Sequence, residues 1–435
     1  MSILVDDKRT IRSWAMYDWA NSVYSLVIAS AIFPAYYNTI TAATGHSTIF
    51  FLGIEFANTA LYSICLGLAF GTIAILSPIL GSIADAYGKH KFFMKIFCYI
   101  GGLSCCSLFF FKGYNVSFGL LSLYLATIGY SGSIVFYNSY LPSIASPEKQ
   151  DSVSAKGFSY GYIGSTILLL LNLLLILNQE ALNVKDDTLL PRLAFLITGI
   201  WWLGFAQIPF IKLPDAVFKP IAKTGTNILL SGYSELRKVI LSIHDQKVLR
   251  VFLLGFFFSI MGVQTVMFMA ASFGENEINL NLTQLIITIL IVENIGIVGA
   301  YLFAFLSQKF GNIKALILAI LIWVIICFGA YYIETPVHFY FAGFFIGLVM
   351  GGFQCLARST YSKLIPKTKN DAAYFSFYDV AEKSAMMLGL VMFGYLNQLT
   401  GSMRNSIVAV AIWFSIGLIA MILLQKMKPL LKQES

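Results

Sequence analysis

Long apolar runs follow one another along the chain with only short polar turns between them. They cover 14–41, 57–84, 92–111, 116–138, 152–178, 192–213, 248–272, 282–306, 313–332, 337–361, 372–399 and 405–426. Each is close to the ~20 residues an α-helix needs to cross a hydrocarbon core, and a backbone in lipid must satisfy its own hydrogen bonds. The pattern therefore predicts twelve transmembrane helices, numbered here as spans one to twelve. One long hydrophilic stretch, Lys212 to Arg250, divides them into six and six. Inside it Leu236, Val239, Ile240 and Ile243 recur at i, i+3, i+4 and i+7, with Glu235, Arg237 and Lys238 between them. That spacing predicts an amphipathic helix lying on the membrane surface, or else docking a protein partner.

Composition agrees and excludes other classes. Of 435 residues 58% are hydrophobic and 11% charged, too little charge to coat a water-facing surface, so a soluble enzyme is excluded. The net charge of +8 raises nucleic acid as a partner, and the placement of the charge answers it. Of the 29 Lys and Arg, only Lys112, Lys185, Arg192 and Arg404 fall in loops on one side, and Lys383 alone falls well inside a span. The rest gather on the other side. This bias places both termini and the central loop in the cytoplasm and leaves no nucleic-acid footprint. The six cysteines all fall in spans and read as small packing residues, with neither disulfide nor zinc spacing. The four histidines lie in loops or at span ends, so no metal site is expected. The first run carries Asp18 and is too long for a cleavable signal. No nucleotide-binding loop is present, so transport would draw on a gradient, with no cofactor.

The two sets of spans echo each other. Gly81–Lys91 after span two, shifted by 223, lands on Ala304–Lys314 after span eight, sharing an aromatic–Gly pair (Tyr87-Gly88, Phe310-Gly311) and a Lys three residues on. At an offset of 224, Tyr137 with Leu141-Pro142 matches Tyr361 with Ile365-Pro366. Two parallel six-helix halves are the plan of major facilitator transporters. The expected divisions are an N-terminal half at 1–212, a linker at 213–247 and a C-terminal half at 248–435.

The loop from Gly81 also resembles the cytoplasmic signature of that superfamily, matching at Gly81, Asp85, Gly88, Lys89 and Lys91, with Ala86 where the family usually has Arg. The resemblance implies a latch between the cytoplasmic ends of the halves. More specific blocks are Trp14–Ser22, Phe136–Pro142, Gly157–Gly164 and Gly351–Ser359. In that order and spacing they resemble the vacuole-effluxer-like branch, whose fungal members are autophagy-related vacuolar amino-acid exporters. The composition suggests a bacterial member, which implies an inner-membrane address.

Charged side chains inside spans cost roughly 2.5–3.5 kcal/mol each on insertion scales and need a reason. They are Asp18, then Glu293 beside Asn294, then Asp379, Glu382 and Lys383. Asp379 and Lys383 are i, i+4 with the acid first, and Glu382, three residues from Asp379, shares that side of the helix. One Lys therefore faces two carboxylates, the profile of a proton-coupling site or of a structural ion-pair knot. Asp18, Asn21, Ser22 and Ser25 form a polar stripe on span one. The resemblance implies that spans one, four, seven and ten line a central cavity. The stripe would then face substrate, joined by Tyr130, Tyr137 and Asn138 from span four, Gln264 and Thr265 from span seven, and Gln354 from span ten. Amides and phenols suit a zwitterion or polyhydroxylated ligand. Asp18 could instead serve a gate, the role expected of Arg358 near the end of span ten. Gly157, Gly161 and Gly164, and Gly347 and Gly351, have the spacing of close helix packing.

The sequence thus predicts an all-α integral membrane protein of major facilitator fold. It reads as a proton-coupled exporter of amino acids or similar metabolites, working as a monomer. A siderophore or other secondary metabolite is the alternative substrate. A membrane-embedded enzyme is the alternative class, and no catalytic constellation supports it.

Overall fold

In a computed structural model of the chain, the described residues are 5–42, 48–51, 53–112, 115–214, 228–280, 282–366, 371–400 and 402–427. Each predicted span is helical, with bounds shifted by a few residues. Spans two to six are Asn58–Tyr87, His90–Ser107, Val116–Ser139, Gln150–Leu177 and Leu189–Lys212. Spans seven to twelve are Lys247–Ile278, Leu282–Phe310, Asn312–Gly329, Pro336–Leu364, Asp371–Thr400 and Met403–Lys426. Among the described residues, ten helices are long and apolar enough to cross a membrane by length and composition alone.

Spans one and eleven are the two that depart from a plain apolar helix. Span one is composite: α-helix over Lys8–Val23, π-helix over Tyr24–Ile32, then α-helix over Phe33–Ala42. The Ser30 hydroxyl donates to the Ser25 carbonyl at 2.8 Å, spanning the wider turn. π-segments of this kind are frequent at functional sites. Span eleven carries Asp371, Asp379, Glu382 and Lys383 in one helix.

Between spans one and two the structure adds a hairpin the hydrophobic pattern left as a loop. Strands β1 (Thr48–Phe51) and β2 (Ile54–Ala57) pair antiparallel with Thr48 opposite Ala57, and Gly53 turns the chain at φ 81°.

The interior divides as the repeat does. One hydrophobic core is built almost wholly from spans one to six and centres on Trp14, Tyr24, Phe33 and Trp202. The other is built from spans seven to twelve around Phe252, Trp323, Phe353 and Phe414. Few residues cross over: Ala155 and Tyr162 of span five join the second core, and Ala372 of span eleven joins the first. The outer surface is apolar, with Leu68, Ile75, Leu103, Phe305 and Ile325 more than 60% exposed. A soluble protein cannot leave such a surface bare, and lipid covers it here.

The linker helix spans Ile228–Asp245 and packs against span two. Val239 is buried in the second core, while Ile240 and Leu241 are exposed. Part of the predicted apolar face is therefore spent on the protein itself, and the Tyr374 and Ser242 hydroxyls share a hydrogen bond of 2.7 Å that ties the helix to span eleven.

Candidate gate and substrate site

The described ends of the chain, near Asp6 and Met427, and the linker helix lie at one end of the bundle, called here the terminal end. Near it the two halves meet through Arg358 of span ten. Its Nε donates to the Ser154 hydroxyl at 2.9 Å and one terminal nitrogen to the Ser154 carbonyl at 2.7 Å. The other reaches Asp18 Oδ2 and Asn138 Oδ1, each at 3.4 Å. All four acceptors belong to the first half, so every nitrogen of this second-half cation is engaged across the divide. The guanidinium also lies over the rings of Phe158, Trp14 and Tyr137, at 4.1, 5.0 and 5.7 Å. Arg favours such sites because its charge is delocalised and weakly hydrated.

The first half prepares its side of the contact. Tyr137 donates from its hydroxyl to Asp18 at 2.7 Å, and Trp14 stacks on the Tyr137 ring at 4.4 Å while donating to the Tyr137 carbonyl. Gly157 passes where any side chain would collide. A Cβ there would stand 2.5 Å from Asp18 Oδ2 and 2.9 Å from both the Tyr137 hydroxyl and Arg358.

A second polar junction, absent from the sequence-based candidates, centres on Asp151 at the start of span five. Its carboxylate accepts from the Ser307 hydroxyl, the Asn312 amide and Lys363 Nζ, each at 2.7 Å. Lys363 also donates to Asn312 Oδ1 at 3.1 Å. The signal in the sequence was an acid in the first turn of a helix, which reads equally well as a dipole partner.

The third junction is the loop after span two. Gly88 turns at φ 62°, a conformation only glycine adopts without cost, and the exposed Lys89 is the residue just before span three. Asp85, 1% exposed, accepts from the backbone amides of Ala372 and Ala373 at 3.1 and 2.8 Å. These are unsatisfied donors at the start of span eleven. Gly81 permits the approach, since a Cβ there would lie 2.8 Å from the Ala372 carbonyl oxygen. Ala86 supplies no partner to Asp85, and buried His90 brings Nε2 to 2.7 Å from it. Alongside, the Ser143 hydroxyl donates to Asp371 at 3.3 Å.

Further in, Tyr162 of span five donates to Gln354 Oε1 of span ten at 2.9 Å. Lys383 stands 3.7 Å from Glu382 and 3.8 Å from Asp379, and its ammonium faces the Phe70 ring of the first half at 5.5 Å. Gln264 donates to Glu382 at 3.2 Å, and Tyr130 lies within electrostatic reach of both Lys383 and Glu382. The structure thus gathers Tyr130 and Gln264 with the span-eleven charges, and gathers Asp18, Tyr137 and Asn138 with Arg358 instead.

The other candidates stand apart. Asn21 is 1% exposed with Oδ1 unpaired, and Thr265 is buried with an unpaired hydroxyl. Ser22 packs beside Gly161, and Ser25 donates to the Ser22 carbonyl. Glu293 is 7% exposed and lies next to Ser165 of span five, with no ion pair among the described residues. Asn294 turns outward and donates to its own helix at Leu290. No group of three His, Cys, Asp or Glu among the described residues could hold a metal.

The hydrogen bonds between the halves given above lie between the terminal end and the middle of the bundle. A helical bundle of two halves, joined at one end by charged side chains, defines a secondary transporter of the major facilitator class. Solved structures agree on that fold. The proton:xylose symporter XylE matches with a TM-score of 0.73 at 14% identity, covering 96% of this chain and 95% of its own. The transporter FucP in its outward conformation matches with 0.67 at 14% identity, covering 96% and 98%.

Within that class the chain belongs to the family described as vacuole effluxer Atg22 like, whose sequence model matches residues 6–433. The uncharacterized MFS-type transporter YxiO of Bacillus subtilis is 31% identical over 94% of this chain and 92% of its own length. Autophagy-related protein 22 of Eremothecium gossypii is 23% identical, over 92% and 87%. The chain is a multi-pass membrane transporter and not an enzyme.

Proposed function

We propose that this protein moves a small zwitterionic metabolite, amino acids first among them, across a bacterial inner membrane by alternating access. Transport is coupled to protons and runs toward export, and the protein acts as a monomer. Both termini and the linker are cytoplasmic, so the terminal end opens to the cytoplasm. The halves at 1–212 and 248–435 rock against each other, with 213–247 as tether. Asp18, Asn21, Ser22, Ser25, Tyr130, Tyr137, Asn138, Gln264 and Gln354 line the path. Glu293, Asp379, Glu382 and Lys383 form the charge network that carries the proton. Gly81, Asp85, Gly88, Lys89 and Arg358 form the cytoplasmic latch.

The observation that carries this reading is the Arg358–Asp18 contact. Two buried charges from opposite halves meet at one end, so opening that end must separate them. The cost of baring two unpaired charges is what a ligand or a proton can offset, and this couples opening to binding. The family's fungal relatives, named autophagy-related protein 22, support a metabolite of vacuolar efflux as cargo.

The test is uptake of labelled leucine and tyrosine into proteoliposomes with and without an imposed proton gradient. Accumulation that follows the gradient is expected. No uptake beyond empty liposomes, from protein shown to be folded, would remove amino acids as cargo, and siderophores would be screened next.

A further inference from the structure

The two cations buried between the halves are held in opposite ways. Arg358 has every nitrogen hydrogen-bonded and its face covered by three rings. Lys383 has none of this. It is 6% exposed, and its two carboxylate neighbours stand at 3.7 and 3.8 Å, beyond hydrogen-bond length. Its ammonium also lies over the face of Phe70, which accepts no conventional hydrogen bond. One turn toward the terminal end, Asp379 is 3% exposed with neither carboxylate oxygen accepting a hydrogen bond.

A buried ammonium has three donors, and leaving them unmade costs free energy that a ligand can return. The surroundings say which ligand. Glu382 is held by Gln264 of span seven, and Tyr130 of span four lies within electrostatic reach of both Glu382 and Lys383 from the first half. An ammonium-bearing group finds Asp379 with two free oxygens, and a carboxylate finds Lys383 with free donors. We propose that Lys383 is the anchor for the carboxylate of a small zwitterionic substrate, whose ammonium is taken by Asp379. Arg358 is fully engaged and serves as the gate below it. This assignment rests on the reading of the protein as a carrier of zwitterions and adds where each end of the substrate goes; within the charge network it gives Lys383 and Asp379 to the substrate and leaves the proton to Glu382 and Glu293.

The test is ligand binding to the full-length protein in lipid nanodiscs, using leucine and its decarboxylated counterpart 3-methylbutylamine. Wild type is expected to bind leucine more tightly than the amine. Lys383→Gln should weaken leucine by about tenfold to a hundredfold, the range a lost charge-assisted hydrogen bond gives, and leave the amine bound at least as tightly, since a cation beside Asp379 is removed. Lys383→Arg should restore most of the leucine affinity, while Arg358→Gln should not alter the leucine-to-amine ratio. Equal binding of leucine and amine by wild type would overturn the assignment with no variant needed, which covers the case of a Lys383→Gln protein that fails to fold. Leucine affinity unchanged in a folded Lys383→Gln protein would overturn it while amino-acid transport stood. Binding of neither probe by wild type would remove the zwitterion reading and the anchor with it.

Discussion

Arg358 and Asp18 are separated by 340 residues in sequence and by 3.4 Å in space. Removing one member of a buried pair leaves the other uncompensated, at a cost of about 3–5 kcal/mol. Arg358→Gln should therefore lower the melting temperature of the purified protein by several degrees, and an unchanged melting curve would show that the pair contributes little. Gly157→Ala tests the same junction by volume, because its methyl would enter the space shared by Asp18, Tyr137 and Arg358. Transport by this variant should fall at least tenfold while the protein remains inserted; retained transport would mean that the junction opens and closes with room to spare. The sequence made each of these residues visible singly. Asp18 stands out because an acid in a span is expensive, and Arg358 because it is a cation near a span end. Nothing local says that they touch, since neither helical period nor spacing encodes a contact between halves. Asp151 went unnoticed for the same reason, as its three donors arrive from spans eight, nine and ten.

Elements were far more legible, because the bilayer imposes a length and an apolar pattern on each span that one pass along the chain recovers. The misses are the places where a polar detail reshapes the backbone. The π-segment of span one depends on carbonyls shifted by one residue near Ser25 and Ser30, and alternation is too short over Thr48–Ala57 to announce a hairpin. The latch loop shows both cases. Gly81, Asp85 and Gly88 were readable as a motif, while His90 as the partner of Asp85 was not. Asp85 holds the start of span eleven by accepting two amides and facing His90, so Asp85→Asn should loosen that contact. Amide-proton exchange at 371–375 should speed up by about tenfold or more, as expected when a charge-assisted hydrogen bond is lost, and equal exchange would deny the loop its latching role.

At the opposite end, the loop before span six gives a pH test. The Thr188 hydroxyl and amide donate to Asp186, which also pairs with Arg192. These bonds, the Thr188 hydroxyl foremost, hold the Asp186 carboxyl below its usual range. A carboxyl lowered in the folded state adds stability above its ordinary value of ~3.9 and loses it as pH falls through the lowered value. Wild type should thus melt above Asp186→Asn at neutral pH, and the gap should close below about pH 4. A gap independent of pH would assign the effect to something other than the carboxylate.

For the whole molecule, two cores that barely mix and the polar junctions gathered toward the terminal end describe two halves closed on each other there. The repeat at offsets of 223 and 224 made the halves readable from sequence, but not which mouth would be closed. That depends on contacts between distant residues. The account stands on those halves separating at the terminal end when their charges are released. Its most direct measurement is the distance between spin labels at Glu148 and Gln308, exposed sites near the terminal end of each half, in protein reconstituted in liposomes. Cys65 and Cys106, the two half-exposed cysteines, would be replaced by serine. The account predicts one short distance for the otherwise unaltered protein and a second, longer population in Arg358→Gln. A distribution identical in both proteins would contradict it.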